Sequence, residues 1–496
     1  TLGEGAVLKN FGGMSAVRLS GGQLTMLDGS LICDDTVTTR LKGKVPEGVS
    51  RLYYGPAGAI WLQSGNVVME SGSKIDNVVG RSIYNENGTA TIGGTISNCK
   101  TVNNVMWQCD GNSTPGYVVY LRMGATMTLT KTGRIEDTAE TPVRQNGSSI
   151  YIMGGSKLIT EEGSIICNMA PSDRIISGIG EAYGDINGEV YGCNPGYGII
   201  TFQGASIEKP YYAKIGPSAA LHDNTCWYGV VYVQSPGTID FYGKIYNNIN
   251  STVGGGIVLA NNGTNAKVTM YPGAEITNNV LNCGGNAVEN GGGGVSVRCG
   301  TFVMKGGTIS NNIVTANGSG AGVQVLRGGI FIMNDGEIKN NATAGLGGGV
   351  SYNGNDYNDC KPNVQINGGT ISGNKINVTV SETDGVYSVT GGASNDLSVL
   401  TTEAVSYGGA AERYYVVSDS ATIGNADVYM QKYDFTLIDP QRGTKLGNAS
   451  TNGDTALTDA STDKGWSDTL IASFWAKTDK NQTWVLSGLE KAADKE

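Results

Sequence analysis

The sequence predicts an all-β fold, a right-handed parallel β-helix of about 11–13 coils closed by a small C-terminal β cap or hairpin. Three observations predict it. A phrase Gly-Gly-x-Ile-x-x-Asn recurs as GGTISNC at 93–99, GGTISNN at 306–312, DGEIKNN at 335–341 and GGTISGN at 368–374, with weaker copies at 243–248 and 273–279. Glycine is abundant at 76 residues while proline stands at 12, which suits tight corners between short strands and excludes collagen. Hydrophobic residues alternate in short pairs, and the i, i+3, i+4 spacing of a helix is missing from these units.

The best-preserved unit, GGGGVSVRCGTFVMKGGTISNN at 291–312, gives the coil. Val295 and Val297 point inward on a first strand, Phe302 and Met304 on a second, and Ile309 on a third beyond the Gly306-Gly307 corner. The second-strand pair recurs as Ile239/Phe241, Val268/Met270, Phe331/Met333 and Val364/Ile366. Taking the corner hydrophobe as the marker, the coils are Leu31, Ile75, Ile96, Ile135, Ile165, Ile207, Ile245, Ile276, Ile309, Ile338 and Ile371. Asn248, Asn279, Asn312 and Asn341 close successive turns, and stacking predicts an amide ladder there. Asparagine also tolerates left-handed turn geometry, and both roles are compatible. Wide spacings between corner residues, as over 165–245, predict loops leaving the coil. On this reading the helix occupies 1–390, late coils and a β cap 391–488, and a frayed tail 489–496. The polar stretch 441–470 reads as a loop and 473–488 as a closing hairpin.

Thirty-four basic against 44 acidic residues give a net charge of −10, which argues against a nucleic-acid groove or a polybasic membrane surface. No apolar run reaches the roughly 18 residues needed for a membrane-spanning helix, so insertion is not expected. The nine cysteines include no CxxC or Cys/His cluster. Cys33 and Cys167 read as buried small hydrophobes, and Cys99/Cys109, Cys193/Cys226 and Cys283/Cys299 as candidate local disulfides. Thr1 opens inside an apparent coil, so the chain reads as a mature or excised piece of something longer.

The units of the form GGGVxVxxGTFxMxGGTIxxN resemble the right-handed β-helix regions of bacterial, especially Gram-positive, cell-surface proteins, most closely over 254–374. The resemblance implies an exported chain at the cell surface, part of a longer wall-anchored protein, although no Leu-Pro-x-Thr-Gly anchor signal occurs. Adhesins, glycan-binding rods and carbohydrate-active enzymes all belong to that group, so the implied partner is a glycan or a host surface protein.

Pectin-degrading enzymes share the β-helix, but their Gly-His-Gly and Arg-Ile-Lys motifs are missing here, and the one Asp-Asp, Asp34-Asp35, sits at a turn. The lone histidine, His222, adjoins Asp223 and suggests a base and its orienter. With Asp185 and Glu189 these are the candidate catalytic residues, for a glycoside hydrolase or polysaccharide lyase. NGNDYND at 353–359 is oxygen-rich, making Asn355, Asp356 and Asp359 candidate Ca²⁺ ligands, yet Val364 stands where a calcium loop needs Glu. The richest stretch for binding is 183–232, with Tyr183, Tyr191, Tyr197, Tyr211, Tyr212, Trp227, Tyr228 and Tyr232. Aromatic residues among polar neighbours give contact area at low entropic cost. A smaller group is Tyr53, Tyr54 and Trp61. The leading reading is therefore an adhesin rod that binds through aromatic loops; the others are a carbohydrate-active enzyme and a structural spacer or filament subunit. Ten Asn-x-Ser/Thr sequons are present, which compositional chance in an Asn-, Gly- and Thr-rich chain readily produces.

Overall fold

A computed structural model describes residues 1–9, 15–35, 58–78, 80–99, 117–139, 147–234, 236–260, 265–283, 290–316, 318–345, 347–356 and 363–401, and the strands between 414 and 487 with Ser420. The chain divides into two compact units, Thr1–Trp227 and Tyr228–Glu496. Each is a stack of parallel β coils, and the described residues contain no helix.

In the first unit a coil has three strand positions, the first two merged into one strand in Val17–Met26 and Gly58–Met69. Arg81–Asn85, Gly88–Ile92 and Thr95–Ser97 form one coil; Tyr117–Leu121, Thr126–Leu129 and Arg134–Glu136 form the next. Each strand pairs in parallel with its counterpart one coil along, so like side chains stack. The third strands stack Ile32, Ile75, Ile96, Ile135, Ile166, Val190 and Leu221, all buried.

That row corrects the marker residues read from the sequence. Leu31 and Ile165 are half-buried neighbours of the inward Ile32 and Ile166. Ile207 is 70% exposed and lies outside the row. Val190 and Leu221 hold the two inward positions that a search for isoleucine passes over. The wide spacing over 165–245 is thus an additional coil with other hydrophobes at its corners. Most of the aromatics expected on loops are elsewhere: Tyr183, Tyr191, Tyr211, Tyr212, Trp227, Tyr228 and Tyr232 all lie on strands, while Tyr197 stands in the connection between Glu189–Tyr191 and Ile200–Gln203.

Packing inside this unit trades size between coils. Gly178 stacks on Phe202, and a Cβ on Gly178 would come within 2.4 Å of the Phe202 ring. The same ring reaches over Gly184. The glycines make room for the phenylalanine.

The second unit keeps the predicted phase closely. Phe302 stacks on Phe331 and that on Val364, while Met270, Met304, Met333 and Ile366 form the neighbouring row, all fully buried. Ile245, Ile276, Ile309, Ile338 and Ile371 fill the third-strand corner. Asn247, Asn278, Asn311 and Asn340 then turn the chain at φ of 56° to 57°. The asparagine after each is buried and forms the ladder expected from the repeat: Asn248 Nδ2 donates to Asn279 Oδ1 at 2.9 Å, Asn279 to Asn312 at 3.0 Å, Asn312 to Asn341 at 2.9 Å and Asn341 to Asn374 at 2.9 Å. Asn374 passes to Asp396 at 2.8 Å. One asparagine turns and the next ties.

A fourth short strand follows the ladder in each coil, ending in an antiparallel hairpin, Lys375–Thr383 with Val386–Ser394. Its turn residues Asp384 and Gly385 both have positive φ, the geometry of a two-residue hairpin loop. Parallel pairing continues through Ala426–Met430. Antiparallel strands then take over: Trp484–Ser487 pairs with Tyr414–Val417 and with Phe435–Asp439. Thr444–Thr451 and Leu457–Asp459 are strands within the stretch read as loop, where β-branched threonine outweighs the polar composition.

Cys33, Cys99, Cys167, Cys193, Cys226, Cys283 and Cys299 are buried and not joined in disulfides, so the pairs Cys193/Cys226 and Cys283/Cys299 are not formed. Coil register places Asn224 over Cys193, its Oδ1 accepting the Cys193 N–H at 3.0 Å. Cys283 packs with Leu281, Val314 and Ala321. Cys99 is likewise in no disulfide, and Cys109 lies outside the described residues.

Candidate functional site

The aromatic stretch divides over separate strands of the first unit. Tyr183 and Tyr212 are register neighbours, with Asp185 opposite Lys214 two residues along. The Tyr183 hydroxyl donates to Glu181 at 3.1 Å, and that bond raises its pKa. Asp185 accepts from Asn187 Nδ2 at 2.9 Å and so lies on a different strand from the other candidate acids. Tyr212 is 42% and Trp227 55% exposed. Tyr197 carries the Arg174 guanidinium 4.9 Å above its ring, and its carbonyl accepts the Trp227 N–H. Tyr211 is corrected as a ligand-binding candidate: it is 1% exposed and stacks on Phe202 in the core. In the second unit Tyr228 packs on Tyr232.

Glu189, His222 and Asp223 do come together. Neighbouring third strands put His222 in register with Tyr191, and the two rings stack at 5.2 Å. His222 Nδ1 meets Asp223 Oδ2 at 2.6 Å, and Nε2 lies 4.0 Å from Glu189 Oε2. Beneath Tyr191 comes Cys167 and then Glu136, itself paired with Arg134 at 2.8 Å. Burial pushes the Cys167 thiol up. No group of three His, Cys, Asp or Glu side chains among the described residues is arranged to hold a metal. Of the calcium candidates, Asn355 and Asp356 end the strand Val350–Asp356; their side chains, and Asp359 altogether, lie outside the described residues. So do Tyr53, Tyr54 and the Asp34 and Asp35 side chains.

A denser site stands on the first strands of the same unit. Here Arg18, Trp61, Tyr84, Tyr120, Tyr151, Ser177 and Thr201 stack in register on the outward side. Each follows an inward hydrophobe, such as Ile60, Ile83, Val119 and Ile150, so strand alternation turns it outward. Ring centroids are 6.5 Å apart from Trp61 to Tyr84, 5.2 Å from Tyr84 to Tyr120 and 5.4 Å from Tyr120 to Tyr151. Tyr117 joins by stacking on Tyr151 at 4.3 Å. Trp61, Tyr120 and Tyr151 are half-buried, whereas Tyr84 and Tyr117 are buried.

Cations run along this row. The Arg18 guanidinium lies 4.3 Å from the Trp61 ring, and Arg122 Nη1 donates to the Tyr84 hydroxyl at 3.1 Å. Arg81 is 4% exposed and lies 4.8 Å from the Tyr84 ring, 4.7 Å from Tyr120 and 5.9 Å from Tyr117. Its Nε and Nη1 have no hydrogen-bond partner, nor have Trp61 Nε1, Ser149 Oγ, Ser177 Oγ and Thr201 Oγ1. Desolvation pulls the Arg81 pKa down and pushes those of Tyr84, Tyr117 and Tyr120 up. Of this whole site, sequence reading flagged Trp61 alone. The signal was present in AIWL, SIYN, VVYL and SIYI, where an aromatic follows a strand hydrophobe once per coil.

Compared with known proteins, the chain matches no family model, and neither a curated protein nor a solved structure matches it.

Proposed function

We propose that this chain is the glycan-binding β-helix of an exported bacterial surface protein, an adhesin region that holds host or environmental saccharide on its N-terminal coils. The observation that carries the reading is the row Trp61–Tyr84–Tyr120–Tyr151, one ring per coil. Parallel coils repeat at ~4.8 Å, so the half-buried rings of Trp61, Tyr120 and Tyr151, backed by the buried Tyr84, lie along one line that an extended saccharide can follow. Aromatic faces pack on the C–H faces of sugars while neighbouring polar groups take the hydroxyls. The acidic composition is compatible with an extracellular role and carries no excess of basic residues for a nucleic-acid partner. A glycan array followed by calorimetric titration tests this. Tyr120→Ala and Tyr151→Ala should each weaken binding about ten-fold, the worth of roughly 1.4 kcal/mol. Retained affinity in both variants would remove the row from the binding surface.

One observation favours a second reading, a carbohydrate-active enzyme using acid–base chemistry: His222 is flanked by Asp223 and Glu189. A reducing-end assay on the glycans that bind, repeated with His222→Gln, separates the two. Turnover abolished by that substitution would make the protein a hydrolase or lyase; binding without turnover leaves the adhesin reading.

A further inference from the structure

We propose that the aromatic row selects an anionic oligosaccharide, with the Arg81 guanidinium receiving the carboxylate or sulfate of one sugar unit. This rests on the glycan-binding reading and names its ligand class. The argument starts from an imbalance. A guanidinium is costly to bury without a counter-charge, and proteins normally pair one with a carboxylate. Arg81 is buried, yet among the described residues no carboxylate lies within ion-pair reach of it. Three tyrosine faces surround it instead. Cation–π contact returns only part of the lost hydration, and it leaves the in-plane N–H groups unused. Nε and Nη1 are the two that lack partners.

The surroundings fit an acidic sugar better than an isolated anion. Beside Arg81 the half-buried rings of Trp61, Tyr120 and Tyr151 give a sugar unit an aromatic face to pack on, which an isolated anion would not use. Arg122 and Arg18 add two cations along the row, with Glu86 near Tyr120 and Asp173 near Tyr151 as the acids beside it. Planar guanidinium groups engage carboxylate and sulfate oxygens through paired N–H bonds, which gives direction as well as charge. A purely structural Arg81 would leave both the missing counter-charge and the unpartnered donors unexplained.

The test is calorimetric titration of the whole chain with three hexasaccharides: oligogalacturonate, a heparin-derived sulfated oligomer, and the fully methyl-esterified galacturonate as a neutral twin. At least one acidic ligand should bind about ten-fold or more tighter than the neutral one, and weaken as salt is raised. Whichever acidic arm binds identifies the anion as carboxylate or sulfate. Arg81→Met should reduce the acidic ligand to the neutral affinity while the melting temperature holds or rises, because an unpaired buried charge has been removed. Arg81→Lys keeps charge but loses the fork, and should give an intermediate loss, so a poorly folded Met variant does not end the test. Equal binding of acidic and neutral ligands, or unchanged acidic affinity in the Arg81 variants, overturns the proposal and leaves the glycan reading standing. Binding of none of the three at millimolar concentration overturns the proposal, and binding of none on a broad array removes the glycan reading too.

Discussion

Each asparagine of the buried row uses its amide several times over. Asn312 Nδ2 donates to Asn341 Oδ1 and to the Ile276 carbonyl, while its Oδ1 accepts from Asn279 Nδ2 and the Asn279 N–H. Asn312→Ala therefore orphans several buried groups at about 1–3 kcal/mol each, and should cost about 3 kcal/mol or more in urea denaturation. The exchange of the Asn279 amide should quicken in step. Two of the sequons, at Asn250 and Asn341, are fully buried and so not open to glycan attachment in the folded chain. At this scale the sequence was legible where one residue type repeats, since an asparagine column is visible by eye. It was opaque for the thiols, whose neighbours depend on register between coils. Burial pushes Cys99 up to about 11 and Cys193 up to about 12, from an ordinary value of 9.0. Folding thus holds their protons: the contribution is fully present below pH 9 and fades as pH rises through 11 to 12. Thermal melts should show stability falling across that window, with Cys193→Ala flattening the fall.

At the scale of the element, the informative failure was the stretch 165–245. With Ile165, Ile207 and Ile245 as corner markers the spacings there are wide, and the surplus reads as loops. Register shows two coils there instead of one, with Val190 and Leu221 at their corners. Hydrophobes of different shape are equivalent to a stack that needs only volume on the inward side, and sequence identity is blind to that. The same stack tolerates glycine beside phenylalanine, which predicts a compensating pair. Gly178→Ala should cost about 1–3 kcal/mol by overpacking against Phe202, and adding Phe202→Leu should recover much of it. If the double variant is no better than the sum of the two singles in thermal melts, the two side chains do not share the space. The Asp384-Gly385 turn was a legible hairpin signal, as its flanking run alternates and its turn pair is of the favoured kind.

At the scale of the molecule, fold and site differ in how they are written into the chain. The fold is legible because every coil states the same requirement, and repetition makes weak preferences readable. The Trp61–Tyr151 row needs four coils laid in register before it exists at all, and its members lie 90 residues apart (151 − 61). No local window contains it. Clustering of aromatics in sequence pointed to 183–232, where adjacent strands send their rings to different places and Tyr211 into the core. Coil-by-coil contact also means that damage stays local. Hydrogen exchange on Asn312→Ala should show fast amides in its own and adjoining coils, with the first unit keeping wild-type protection.

The asparagine row ends on Asp396, whose Oδ1 accepts both the N–H and Nδ2 of Asn374. An Asn in that place would carry an amide N–H to hand onward; a carboxylate offers only oxygens. The row therefore has a direction and a terminator, like a sentence with its full stop. Between Asn248 and Asn374 the units are interchangeable in the bonds they give and receive, so a duplicated coil can be spliced in there without a mismatch at either junction. Tandem duplication of a coil is therefore matched in its bonds between Asn248 and Asn374, and the carboxylate of Asp396 marks the end of that stretch among the described residues.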